Sequence, residues 1–380
     1  MVNFFVTCLL IMPFLVNPFK DVLAPFRLPK ELFFDIICLG MIYFALKDGV
    51  KFLYKNSLLA LLSLWVFITI IFNWYLPLLF STETRGLEIN LWTLLPQIHF
   101  ILALIASYIA LSTFERDDYV RIAKALCLTA FLTTMIGIMQ VFGFDPLGKL
   151  VLRYDHPNHF YGYLDNPNLM GNYLSLCLPF FLFFKNLRYK IGFFIILYGV
   201  YLSHSRLSVI AIFIGIFVFM FLNYRKHKII SKIVLASLII GIPIFVFFYI
   251  YRIQFDNFGQ RTEIWQKALV NIKHNPLFGQ GLGIFKTWEI TGSLNNVKWY
   301  VCHNDWLERI AEIGFLGLGF MLLVLFRMFR NFNYSENNRL GFAYMASFVT
   351  FLFLMGGSFV WEVAPTALIG LVGWWGCEKL

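Results

Sequence analysis

The sequence predicts an all-α, polytopic integral membrane protein, and three observations carry that prediction. The 380 residues are 59% hydrophobic and only 14% charged, with a mean hydropathy of +0.72. A soluble domain carries about 25% charged residues. Apolar runs of the length needed to cross a bilayer follow one another along most of the chain. Compact basic clusters recur at every second connection between those runs. Such a chain has no packing that hides its apolar surface from water, so the bilayer is its solvent.

A spanning helix needs roughly 20 mostly apolar residues, and by that measure about twelve spans are expected. They are Val2–Asn17, Leu32–Leu46, Ser57–Trp74, Trp92–Ser112, Ile122–Phe142, Asn168–Phe184, Ile191–Leu202, Leu207–Leu222, Ile229–Ile250, Trp306–Phe326, Leu340–Met355 and Glu362–Trp375. Val2–Val16 lacks a basic leader and an A-x-A cleavage site, so it is expected to remain as a helix.

The basic connections set the orientation. They hold Lys47, Lys51 and Lys55, then Arg116, Arg121 and Lys124, then Lys185, Arg188 and Lys190, then Arg225, Lys226, Lys228 and Lys232, then Arg327, Arg330 and Arg339. The positive-inside rule assigns all of these, and both termini, to the cytoplasm. The formal net charge of +10 is explained the same way, and no nucleic-acid motif accompanies it. The external connections are then Tyr75–Leu91, Gly143–Asn166, the turn Ser203–Arg206 and the long loop Tyr251–Asp305, all within one membrane domain, 1–380. Five of the six cysteines sit in apolar runs, where a thiol is ordinarily a small core residue. Cys302 lies in the loop and is expected to be reachable from outside.

A long polar segment, 251–305, is out of character in this chain and is expected to be a catalytic loop. Its first feature is Arg261, four residues before Trp265, which places both on one helix face. A guanidinium binds phosphate oxygens in pairs, and a neighbouring aromatic stacks on sugar or lipid. Viewed alone, the same residues fit a surface helix resting on headgroups. The run Gly279-Gln280-Gly281-Leu282-Gly283 lacks the Lys-Ser/Thr of a phosphate loop and is read as turns. His303, in Cys302-His303-Asn304-Asp305, titrates near neutrality when unperturbed. Asn304 or Asp305 is placed to cap the following helix. Glu312 falls at hydrocarbon depth and needs a partner, which Arg309 supplies three residues earlier. Gly314 and Gly317 are expected to admit a neighbouring helix.

Two sites lie outside that loop. Arg206 ends the turn Ser203-His204-Ser205-Arg206 at the membrane boundary, where an Arg is either functional or snorkelling to lipid phosphate. Asp165-Asn166-Pro167-Asn168 forms a turn and cap, with Asn168 a candidate for lining the site. His156 and His159 have H-x-x-H spacing without a supporting pattern, so no metal and no cofactor is assigned. Arg206, Arg261 and His303 are far apart in sequence, yet all fall on the external side of a topology derived without them. Two Arg and one His at a membrane surface suit a lipid-linked diphosphate. The Arg pair would stabilise leaving-group charge, and the His would take a proton from an attacking hydroxyl.

The pattern Ser205-Arg206, then Gly259-Gln260-Arg261, Trp265 and Pro276-Leu277-Phe278-Gly279-Gln280-Gly281, then His303-Asn304, Leu307, Glu312, Gly314 and Gly317 resembles the bacterial O-antigen ligase and polymerase family. Asn166-Pro167-Asn168 and Asn172-Tyr173-Leu174 are similar to it as well, so the resemblance covers roughly 165–326. It implies a twelve-span, metal-independent, inverting glycosyltransferase of the bacterial inner membrane with its site facing the periplasm. The donor would be an undecaprenyl-diphosphate-linked glycan. The acceptor would be a lipid A–core sugar in a ligase, or another lipid-linked repeat unit in a polymerase. Carried onto this sequence, Arg206 and Arg261 bind the donor and His303 activates the acceptor, with Trp265, Asn304, Glu312 and Asn168 around the substrate. The ligase is the favoured reading. A secondary transporter is the competing class, but no inverted repeat is visible and the polar content is external. A peptidoglycan-type polymerase fits the spans less well.

Overall fold

The computed structural model describes residues 1–15, 28–49, 57–71, 91–145, 160–164, 166–224, 258–283, 290–291, 298–299, 302–335, 337–358, 360–361 and 363–380. Its helices are α1 (Val2–Ile11, extended by a 3-10 turn, Met12–Phe14), α2 (Leu28–Lys47), α3 (Ser57–Ile70), α4 (Leu91–Thr113), α5 (Arg116–Val141), α6 (Pro167–Phe183), α7 (Leu187–Leu202) and α8 (Arg206–Tyr224). Then come α9 (Phe258–His274), α10 (Asp305–Asn331), α11 (Arg339–Leu354) and α12 (Ala364–Lys379). The expected ninth span, Ile229–Ile250, lies outside the described residues.

Among the described residues, four helical segments are long and apolar enough to cross a membrane: Pro96–Thr113, Arg116–Val141, Arg206–Asn223 and Asp305–Asn331. Val2–Phe14, Ala60–Ile70 and Arg339–Leu354 are shorter apolar helices. The chain is thus a helical, multi-pass membrane protein. One short antiparallel pair, β1 (Ile290–Thr291) with β2 (Lys298–Trp299), lies inside the long loop, in the register Ile290 opposite Trp299.

Helix starts are set by local chemistry. The Asn166 side chain accepts from the Leu169 N–H at 3.0 Å with Pro167 in the first turn of α6. Asn304 does the same for α10 through the Leu307 N–H at 3.1 Å, and Asn338 for α11 through Gly341 at 3.2 Å. Glu115 and Asp118 form a capping box on α5.

At the centre of the bundle α6, α8 and α11 pack on one another, and α12 packs on α6 and α11. Its interior is apolar side chains stitched by single hydroxyls, such as Ser347 Oγ donating to the Leu176 carbonyl at 2.8 Å. Helix α6 runs from one end of this centre to the other. Near its start Asn172 meets Ser208 and Ser358. Near its end the Leu182 carbonyl accepts from Arg339 at 3.4 Å. Arg116 reaches the Asn337 carbonyl at 3.5 Å at that same end. Residues of three basic connections, Arg116, Lys185 and Arg339, therefore gather at the end away from Arg206.

Candidate functional site

The site is assembled at the end of the bundle where α6 and α8 begin. The turn before α8 is tied down by hydroxyls. Ser203 Oγ accepts from the Ser205 N–H at 3.2 Å, and Ser208 Oγ donates to Asn172 Oδ1 at 2.8 Å and lies 2.6 Å from Ser205 Oγ. Asn172 Nδ2 in turn donates to Ser358 Oγ at 2.9 Å. These side chains are buried, and Arg206, the first residue of α8, is exposed above them. His204, two residues earlier, holds a φ of +50°, a left-handed conformation that side-chain-bearing residues seldom adopt.

Helix α9 is amphipathic and lies in the long loop. Ile264, Ala268 and Ile272 are buried at helical spacing, while Thr262, Gln266, Lys267, Leu269 and Val270 face outward. Arg261 and Trp265 share a face, as their spacing predicts. The Arg261 Nη1 donates to the Gly357 carbonyl at 3.3 Å, and Trp265 Nε1 donates to the Cys302 carbonyl at 3.1 Å. Trp265 therefore clamps the residue immediately before His303.

His303 is partly buried and holds a φ of +53°. Burial first, and the neighbouring Arg261 charge second, push its pKa down to about 4. Arg261 is itself lowered by burial. His303 is therefore neutral at pH 7, and Arg261 is close enough to act on it. Gly357 joins this pair to the Arg206 turn. A Cβ at Gly357 would lie 3.2 Å from the Leu207 side chain, and the Gly357 carbonyl holds Arg261. The structure thus brings the Arg206 turn, Arg261 and His303 to one end of the molecule.

Beneath them is a charged group inside α10. Arg309 Nη1 is 2.7 Å from Glu312 Oε2, and its Nη2 is 3.3 Å from Glu308 Oε1, with all three side chains buried. The pairing expected for Glu312 is present. Each carboxylate also accepts a backbone N–H. Glu308 Oε2 takes that of Cys302 at 3.1 Å, and Glu312 Oε1 takes that of Gly283 at 2.7 Å. Both ends of the segment Gly283–Cys302 are thereby tied to one ion group. Buried charges persist only when paired and hydrogen-bonded, and these are both.

Helix α10 is interrupted at Gly314, with φ 70° and ψ −180°, a conformation open essentially to glycine alone. This corrects the expectation that Gly314 admits a neighbouring helix. The segment Pro276–Gly281 lies there instead. Gln280 and Gly281 N–H donate to the Ala311 and Glu312 carbonyls, and Phe315 and Leu316 N–H donate to those of Pro276 and Leu277. Gly279 has a φ of +72°, and a Cβ on it would collide with the Glu312 carbonyl. Gly281 and Gly283 also have positive φ, so the Gly279–Gly283 run is indeed a series of turns.

The remaining candidates are placed as follows. Asn304 is engaged as the α10 cap, and Glu312 is buried under the loop, bound to Arg309 and Gly283. Asn168 is exposed in the first turn of α6. Cys302, expected to be reachable from outside, is fully buried against Ile264, Ala268, Trp265 and Leu307, and burial raises its thiol pKa well above the usual value. His156 and His159 lie outside the described residues.

Residues 355–361, between α11 and α12, were not anticipated. Their Met355 and Gly357 carbonyls, Ser358 hydroxyl and Trp361 N–H meet Asp305, Arg261 and Asn172. The one visible signal was Gly356-Gly357-Ser358 between two apolar runs.

A search of curated proteins finds no match for the chain. Residues 191–322, which hold Arg206, α9, His303 and the break in α10, match the family described as O-antigen ligase. The match covers about a third of the chain and agrees with the motif resemblance over the same stretch.

Proposed function

We propose that this protein is an O-antigen ligase-like glycosyltransferase that moves a glycan from undecaprenyl diphosphate to an acceptor hydroxyl on a lipid A–core sugar. The observation that carries the proposal is the convergence of Arg206, Arg261 and a neutral His303 at the end of the bundle opposite the basic connections. The family match over residues 191–322 supports it. By the positive-inside rule that end faces the periplasm, on the outer side of the inner membrane.

In this reading Arg206 and Arg261 hold the donor diphosphate, and Trp265 and Asn168 border it. The acceptor oxygen attacks the anomeric carbon as the bond from that carbon to the phosphate oxygen breaks. His303 accepts the acceptor proton, and undecaprenyl diphosphate leaves with the bonding pair. One direct displacement inverts the anomeric centre. The guanidinium groups meet the growing negative charge on the leaving diphosphate, so the proposed step is written without a metal. A bound diphosphate also offsets the Arg261 charge beside His303, which raises the imidazole pKa when its basicity is needed. Asn304 and Glu312 serve by fixing the loop around His303.

The second reading, a polymerase of the same family, keeps this chemistry and replaces the acceptor with a lipid-linked repeat unit. The test of the site is a split between binding and turnover. His303→Ala should retain donor binding and lose transfer by about 10²–10⁴-fold. Arg261→Ala should weaken binding of the donor diphosphate as well. Unchanged transfer in His303→Ala would refute the assignment.

A further inference from the structure

At the opposite end of the bundle from His303 lies a recess of about 460 Å³ between the end of α6, the start of α7 and the start of α11. Its cations are Lys185, Lys190 and Arg339, and Phe184, Phe193 and Phe194 form much of its wall. Arg339 is anchored by the Leu182 carbonyl, while its Nε is buried and makes no hydrogen bond among the described residues. Phe184 stacks on Tyr189 with ring centroids 4.1 Å apart, and Arg188 covers the Tyr189 ring at 5.0 Å, so the α6–α7 turn is held open in this shape.

The recess continues onto an apolar stripe. Leu187, Ile191, Phe194, Tyr198 and Tyr201 are all exposed along α7 at helical spacing, and Phe194 belongs to both. A cationic pocket opening onto a lipid-facing aromatic stripe has the two halves of one ligand's chemistry. The cations suit a phosphodiester, and the stripe suits an acyl chain. We infer that this recess is a binding site for an anionic phospholipid, its phosphate among Lys185, Lys190 and Arg339 and its acyl chain along Phe194 and Tyr198. A free phosphate has the same charge but nothing to place on the stripe. No group of the candidate transferase site takes part.

The test uses the full chain purified in detergent and native mass spectrometry, with dioleoyl phosphatidylglycerol and dioleoyl phosphatidylcholine as probes. Phosphatidylglycerol should be retained about tenfold or more over phosphatidylcholine. Lys185→Gln/Lys190→Gln should abolish that preference. Arg121→Gln/Lys124→Gln removes the same charge from exposed positions on α5 outside the recess and should preserve it. Equal retention of both lipids by the unaltered protein would overturn the inference. So would equal losses in the two double variants, which would reduce the effect to net charge. Displacement of phosphatidylglycerol by millimolar inorganic phosphate would mark a phosphate site instead.

Discussion

In the proposed reaction His303 takes the acceptor proton, and its surroundings set how it responds to pH. Burial holds its pKa near 4 in the folded protein, below the ordinary value of 6.5. The unfolded chain therefore binds more protons between those values, and the His303 contribution to stability falls as pH drops from about 6.5 toward 4. Thermal denaturation in detergent across that window should show His303→Ala losing less stability on acidification than the unaltered protein. A parallel pH dependence in the two would contradict the burial of the imidazole. His303 was legible in the sequence as a candidate, because it stands beside an Asn cap at the start of an apolar run. Its depressed pKa was not, since that depends first on burial and then on Arg261, 42 positions away, brought near by α9. Cys302 shows the same limit. It sits in a polar stretch of sequence, yet α9 covers it completely. An impermeant thiol reagent is therefore expected to leave Cys302 unlabelled in the native protein, and rapid labelling would mean that α9 does not seal the loop.

The broken helix α10 is the element that organises the loop. Its carboxylates hold the backbone at Gly283 and Cys302, and its interruption at Gly314 receives Pro276–Gly281. Removing one partner of such a buried group leaves an uncompensated charge, so Arg309→Ala should destabilise the protein by about 3–5 kcal/mol. Transfer should fall with it, because Glu308, which holds the Cys302 N–H, loses its ion partner. Gly314→Ala and Gly279→Ala each force a side chain into a left-handed backbone pressed against another strand of chain, at a cost of about 1–3 kcal/mol from the backbone conformation alone. Gly319, five residues beyond the break, has open space around its Cα, so Gly319→Ala should be neutral. Thermal unfolding in detergent distinguishes these outcomes. The Glu312–Arg309 pairing was readable from three-residue spacing. The break itself was not, because a glycine in an apolar run serves helix packing, kinks and turns alike, and only the partner segment decides among them.

A helical, multi-pass membrane protein was readable from hydropathy, since the bilayer imposes one length on every crossing element. The expected bounds Leu207–Leu222, Trp306–Phe326 and Leu340–Met355 fall within α8, α10 and α11 to within a residue or two. What hydropathy does not carry is which ends meet. The meeting of Arg261 with Gly357, and of Asn172 with Ser208 and Ser358, depends on how α6, α8 and α11 pack, and no periodicity announces it. Sidedness is testable at this scale. Lys273 is exposed on α9, so Lys273→Cys should react with an impermeant reagent added from the periplasmic side of intact cells. Labelling from the cytoplasmic side alone would invert the topology and place the site on the wrong face for a flipped donor.

The central claim is a transfer reaction, and reconstituted transfer tests it most directly. Purified protein would receive an undecaprenyl-diphosphate-linked glycan with either lipid A–core or further lipid-linked repeat units, beside His303→Ala. Glycan joined to lipid A–core by the intact protein, and lost in His303→Ala, is the predicted result. Chains lengthening on the lipid carrier would move the protein to the polymerase reading with the same site. The absence of product with both acceptors, from protein shown to bind the donor, would contradict the account.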